Sequence, residues 1–311
     1  MKFNISDLFK VNFGSIFFLL TFLIGNLFIL QTVMADESIK PICNSIETCL
    51  PLAKKGNVKA QYYLSGYYDM GFDDKGNKVN VSKEKAIYWC KKAAEKGNVH
   101  AQYDLSVLYK RINDELSEFW WCRKAARNGC AMAQAVLADK YRNGTGTIQD
   151  YSKALYWRLR AINSEKAASI RTSYDELLVA DMYRMGEGTP QNYTKAFYWY
   201  QKAAMHGEQV AQFHVGLLYF LGYGVKKNLL KAFVWADLSL TTGKDENTKY
   251  FQSEFLTTRE KKDAQTFMDN IYRYMTVEQR NKAEKLSELY WNKIREYINT
   301  LKPITNFCGI N

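Results

Sequence analysis

The stretch KAFYWYQKAAMHG, residues 195–207, sets Phe197, Tyr198, Trp199 and Tyr200 side by side. A ligand-stacking platform and one unit's share of a repeated core would both look like this. The rest of the chain decides between them. Trp199 has counterparts at Trp89, Trp121, Trp157 and Trp235, so the tryptophans stand 32, 36, 42 and 36 residues apart. Each follows a register tyrosine (Tyr68, Tyr109, Tyr141, Tyr183 and Tyr219) by 21, 12, 16, 16 and 16 residues. From tryptophan to the next tyrosine the distances are 20, 20, 26 and 20. The basic unit is therefore 36 residues, and every deviation falls in a connection, which is what stacked supersecondary units tolerate.

Each unit reads as two helices. In the second, Ala196, Trp199, Tyr200, Ala203 and Ala204 fall at i, i+3, i+4, i+7 and i+8, one apolar stripe at helical spacing. The same offsets give Ala86, Trp89, Cys90, Ala93 and Ala94, then Glu118, Trp121, Cys122, Ala125 and Ala126. They recur around Trp157, with Arg158 after it, and around Trp235, with Ala236 after it. Gly97, Gly129, Gly207 and Gly243 follow the helix ends, where a left-handed cap favours glycine. The first helix carries Ala60, Leu64 and Tyr68, repeated as Ala211, Val215 and Tyr219. Turn glycines Gly144, Gly186 and Gly222 come after it, each paired with a glycine two residues on. No preceding strand or G-K-[ST] makes these pairs phosphate loops. Adjacent residues on a helix point about 100° apart, so the four aromatics of the opening stretch do not form one platform.

At 311 residues with 47% hydrophobic and 15% aromatic content, the chain can bury a large core, and only four prolines favour helices. An apolar run over 13–30 follows Lys2 and Lys10, and Val33 and Ala35 then offer a small-residue cleavage site. This reads as a secretory signal peptide over 1–35, or as an inner-membrane anchor through 13–30, since about 20 residues span a bilayer. Export permits disulfides among Cys43, Cys49, Cys90, Cys122, Cys130 and Cys308, with 15 possible pairings. A local Cys43–Cys49 link is plausible. Cys90 and Cys122 fit buried thiols as well as disulfides, and a Cys122–Cys130 bridge is not expected, because Cys122 lies well up its helix. Asn80, Asn143 and Asn192 begin sequons that matter only in a eukaryotic secretory route.

The run ADMYRMGEGTPQNYTKAFYWYQKAAMHGEQVAQF resembles the Sel-one-like repeat family, relatives of the tetratricopeptide repeats. Tyr183, Gly186, Gly188, Lys195, Ala196, Trp199, Lys202, Ala203, Ala204, Ala211 and Gln212 carry the likeness. It implies an all-α, right-handed α-solenoid acting as a non-catalytic interaction scaffold. The family serves in bacterial envelopes, as secreted host-interaction factors, and in endoplasmic-reticulum quality control. The expected organisation is a lead-in over 36–51, about five repeats over 52–243, and capping helices with a tail over 244–311. The tail MTVEQRNKAEKLSELY resembles the family's capping helix. Three units depart from the pattern. The first has Asp73 for its second glycine, the second lacks the glycine turn, and the fourth has Asp175 and Glu176 for alanine-glutamine.

Sharper chemistry is weaker. Ser82 to Lys85 spells S-x-x-K, as in penicillin-recognising enzymes, but no S-D-N or K-T-G accompanies it and Ser82 stands where a helix cap belongs. His100, His206 and His214 lack the convergent third ligand that a metal site wants, and no cofactor motif occurs. Arg158 takes a stripe position, so it is either structurally paired or a ligand contact. Candidate groove residues beside the packing stripe are Tyr63, Asp104 and His214, then Tyr67, Leu108, Met182 and Leu218, with Asp139 and Asp181 adding acid. Such a mix suits a protein or peptide partner. The net charge of +11 is better used on anionic envelope lipid or polysaccharide than on nucleic acid.

Overall fold

The computed structural model describes residues 42–164, 170–241 and 256–300, so the signal or anchor segment, Gly243 and Cys308 lie outside the described residues. Among the described residues the regular structure is thirteen α-helices and no strand. The chain divides at Ala93 and Ala94 into two compact units, and the fold class is an all-α solenoid of stacked helix pairs.

The first unit holds α1 (Ile46–Lys54), α2 (Val58–Met70) and most of α3 (Lys83–Glu95). Ser45 and Thr48 cap α1 reciprocally, and the Cys43–Cys49 disulfide ties its first turn to the segment before it. The boundary drawn at residues 51 and 52 thus falls inside a helix. This helix plays the part of a preceding repeat's second helix, because Gln61 Nε2 on α2 donates to the Ala53 carbonyl at 3.0 Å. Asp73 replaces the missing turn glycine by accepting from the backbone N–H groups of Lys75 and Asn77 at 3.1 and 2.9 Å.

The second unit pairs α4 (Val99–Arg111) with α5 (Glu115–Arg127), and α6 (Ala131–Asn143) with α7 (Tyr151–Ile162). It continues with α8 (Ile170–Met185), α9 (Tyr193–Met205), α10 (Gln209–Leu221) and α11 (Leu229–Thr241). Two further helices close it, α12 (Thr258–Arg273) and α13 (Val277–Thr300). The stripe residues fall where their period puts them: Cys122, Ala125, Ala126, Tyr200, Ala203 and Ala204 are fully buried. In three of its four repeats a glutamine stitches the first helix to the second helix before it. Gln102, Gln134 and Gln212 donate to the carbonyls of Ala94, Ala126 and Ala204 at 3.0, 3.1 and 3.1 Å.

The paired glycines have separate jobs. Gly144, Gly186 and Gly222 end their helices in the left-handed region. Gly188 serves stacking, because a Cβ there would stand 2.3 Å from the Tyr151 carbonyl oxygen at the start of α7. The second helical pair manages without a glycine turn by placing Asn113 at φ 59°, and asparagine tolerates that region better than most residues.

The capping helices cover α11. Trp235, 1% exposed, lies against Tyr290 with ring centroids 5.1 Å apart, and Phe267 packs edge-on to both Phe213 and Phe220. The end of α9 is also reached, where His206 stacks on Tyr297 at 4.1 Å. No described helix is long and apolar enough to cross a membrane.

Candidate interaction surface

In two repeats the residue after the register tryptophan is polar and reaches the first helices. Arg158 donates one nitrogen to Asp139 Oδ1, and Tyr200 donates its hydroxyl to Asp181 Oδ1. The separation is 19 residues in both cases, so the same pair of positions is used twice. Each then reaches the next repeat: Arg158 Nη1 donates to Asp175, and the Tyr200 ring stacks on His214 with centroids 4.8 Å apart.

Around Asp181 the geometry is convergent. Arg184 Nε and Nη2 donate to Asp181 Oδ1 at 3.2 and 2.9 Å, and Arg184 Nε also reaches the Tyr200 hydroxyl at 2.8 Å. Burial pushes the Tyr200 phenol above its usual range, and Asp181 adds to the shift. Burial likewise holds His214 below the usual imidazole range, so at neutral pH the ring is uncharged. Asp181 and Arg184 keep partial exposure, 18% and 35% of their side chains. The cluster is a hydrogen-bonded, half-open arrangement of carboxylate, guanidinium and imidazole.

The sequence candidates divide. Tyr63, Asp104, Asp139, Asp181 and His214 are half-buried on first helices. Tyr67, Leu108, Met182 and Leu218 are 1–6% exposed and belong to the packing, because the position before the register tyrosine turns inward. Tyr67 donates its hydroxyl to Asp74 Oδ2 at 2.7 Å. Arg158 is fully buried between its two carboxylates, so its guanidinium is occupied by the protein itself. Of the repeat-defining residues, Tyr68, Trp121, Tyr141, Trp157, Tyr183, Tyr219 and Trp235 are buried, while Trp89, Tyr109 and Trp199 are half-buried.

The sequence reading missed Arg184 and Lys140. Arg184 follows the register tyrosine, and its only signal was a basic residue at the place of Lys110 and Arg142. Glu176, in the glutamine position, cannot donate to a carbonyl; it binds Lys202 Nζ at 3.3 Å and His206 Nδ1 at 2.6 Å. Glu118 and Lys140 form a buried ion pair at 2.7 Å. Cys90 and Cys122 are buried thiols outside any disulfide and Cys130 is disulfide-bonded, so Cys122 and Cys130 do not bridge. Cys122 Sγ donates to the Ala133 carbonyl at 3.4 Å, and burial pushes its thiol up to about 12. Ser82 caps α3 by accepting from the Lys85 backbone N–H at 3.2 Å, while the Lys85 ammonium stands 5.1 Å from the centre of the Tyr68 ring. No group of three or more metal-ligating residues occurs among the described residues.

Comparison with known families matches the Sel1 repeat at residues 58–98, 119–130, 131–164, 175–208 and 209–239. No curated protein matches the chain. Among solved structures, a Sel1 repeat protein from Oxalobacter formigenes is similar, with TM-score 0.55 and 22% identity over 77% of this chain and 96% of that one. A protective antigen with an SLR fold, present in uropathogenic Escherichia coli strains, is similar at TM-score 0.44 and 20% identity, over 85% of this chain. The present chain spans 60% of that antigen's length. Proteins built of such repeats are generally interaction scaffolds and typically lack catalysis. Five matched segments, four of them on helix pairs at the tyrosine–tryptophan register and one on α5, place the chain in the Sel1 repeat family.

Proposed function

We propose that this chain is an exported, non-catalytic scaffold that holds a protein or peptide partner on the first-helix side of its second unit. The setting is a bacterial envelope, or secretion as a host-interaction factor. The observation that carries the reading is the Asp181–Arg184–Tyr200–His214 cluster, in which a half-exposed arginine is pre-oriented by a carboxylate and a phenol. Arginine held this way presents a fixed fork of donors to a partner's carboxylate or carbonyl, and arginine and tyrosine are over-represented where single residues dominate binding.

Proximity labelling from the tagged natural chain, alongside Arg184→Ala and His214→Ala variants, tests this. A neighbour enriched by the natural chain and lost from both variants supports the assignment; equal enrichment by all three removes the cluster from it. Export is tested separately by N-terminal sequencing of the mature protein, expected to begin at Asp36. Turnover of a β-lactam reporter that Ser82→Ala abolishes would sink the non-catalytic reading.

A further inference from the structure

The outer sides of the second helices carry a repeated pair that the scaffold role does not use. In α5, α7 and α9 the residue before the register tryptophan is Trp120, Tyr156 or Tyr198, and four residues beyond it stands Lys124, Arg160 or Lys202. These rings stay 46%, 53% and 54% exposed. Each lies edge-on to its register tryptophan, with centroids 4.5, 5.2 and 5.2 Å apart. The cations stand 5.0, 5.9 and 5.8 Å from the ring centres. In the first unit, α3 carries the same local pair as Tyr88 and Lys92.

On α11 the corresponding residues are Val234 and Leu238, 0% and 1% exposed, and that helix packs against α12 and α13. The aromatic–cation pair is thus present where the second helix is open and replaced by aliphatics where it is covered. Helix dipoles explain cations near helix C-termini, but they do not explain a large half-exposed ring beside each one. The charge is also one-sided. Helices α7 and α9 contain no aspartate or glutamate. On α5, Glu118 is buried against Lys140, which leaves Glu115 at the far end. Lys202 shares its charge with Glu176, whereas Arg160 is exposed and adds a 3.2 Å bond to the Tyr156 hydroxyl.

We propose that the outer side of α5, α7 and α9 is a docking surface for an anionic lipid bilayer. Trp120, Tyr156 and Tyr198 enter the headgroup zone, and Lys124, Arg160 and Lys202 meet lipid phosphate. The chemistry favours a bilayer over nucleic acid. A nucleobase needs an open ring face, and here a cation already stands over each ring. The headgroup zone asks only for an amphipathic ring with a cation nearby, and basic groups near an anionic leaflet each add to the attraction.

The test is co-sedimentation of the chain from Asp36 onward, which contains every described helix, with phosphatidylglycerol–phosphatidylcholine vesicles and with pure phosphatidylcholine vesicles. Binding is expected to the anionic vesicles only. It should weaken at least tenfold in the triple variant Trp120→Ser, Tyr156→Ser, Tyr198→Ser, and likewise in the double variant Lys124→Gln, Arg160→Gln, both with unchanged helical circular dichroism. The two sets of exposed positions keep the result readable if either variant folds poorly. No binding to anionic vesicles, equal binding to neutral ones, or full binding by the aromatic variant would overturn the proposal. The last outcome would reduce the effect to bulk charge. Displacement of bound vesicles by single-stranded oligonucleotide with tighter affinity would overturn it in favour of nucleic acid.

Discussion

Arg158 joins two repeats through a pair of carboxylates. It is fully buried, and Asp139 and Asp175 converge on it from the first helices of two successive repeats. Removing one member of a buried ion group leaves the others uncompensated, at a cost of about 3–5 kcal/mol. Arg158→Met should therefore lower the urea midpoint by that equivalent, and Arg158→Lys should recover little, because one ammonium cannot span two carboxylates as a guanidinium does. Adding Asp175→Leu to Arg158→Met should regain most of the loss; a single variant as stable as the natural chain would show that the triad bears no structural weight. His214 gives a pH dependence of known sign. Burial first, and Arg184 with it, hold its imidazole below the ordinary range, against opposing pulls from Asp181 and Glu260. The unfolded chain takes up its proton near the ordinary value of about 6.5, the folded chain only at lower pH. Between those two values the unfolded state binds more protons, so stability falls as pH falls. His214→Phe keeps a ring against Tyr200 and should flatten that part of the profile of urea midpoint against pH. Identical slopes would clear His214 of any role in it.

At the scale of the helix pair, the two kinds of glycine separate backbone strain from close approach. Gly97 has φ +91° with nothing within 4 Å of a would-be Cβ, whereas Gly188 has φ +71° and would press that Cβ 2.3 Å from the Tyr151 carbonyl oxygen. Gly97→Ala should cost about 1–2 kcal/mol, the left-handed penalty alone. Gly188→Ala must also push one turn off the start of α7, so thermal unfolding should place it well below Gly97→Ala. Equal melting temperatures would mean that the stacking contact gives way freely. The same scale shows what the sequence could tell. Trp199, Ala203 and their equivalents announced the helix pairs because burial of one stripe imposes a period along the chain. The polar cluster was not legible in this way, since Asp181, Arg184, Tyr200 and His214 meet only after three helices have packed. Asp175 and Glu176 looked like a place where repeat geometry changes. The helix there is intact, and the two acids are drawn into ion pairs with Arg158, Lys202 and His206. At Glu176 a lost amide donor has been replaced by charge, a substitution that depends on a partner 30 residues away. Likewise Tyr67, Leu108, Met182 and Leu218 looked like groove residues because they adjoin the packing stripe. The stripe is simply wider than the spacing of its strongest members implies.

At the scale of the molecule, a stack of helix pairs must end somewhere, and the end presents a face that interior repeats keep dry. Here α12 and α13 cover it. Trp235, Val234 and Leu238 are at most 1% exposed on α11, and Ala264, Ile271, Ala283, Ile294 and Ile298 are buried on the covering helices. Uncovering a tryptophan and two aliphatic side chains of this size forfeits on the order of 1.5–3 kcal/mol for each and leaves a contiguous apolar patch of the kind that drives association. A chain stopped after Thr241 should consequently bind an apolar dye strongly and elute as aggregates, although its repeats are untouched. The solubilising role belongs to cover rather than to any one contact, so the milder variant Tyr290→Ala, which removes only the ring beside Trp235, should stay monomeric with a lowered melting temperature. Size-exclusion chromatography of the two together decides the matter: a truncated chain that remains monomeric and dye-free would mean that the fifth repeat closes the array by itself and that α12 and α13 serve some end other than capping.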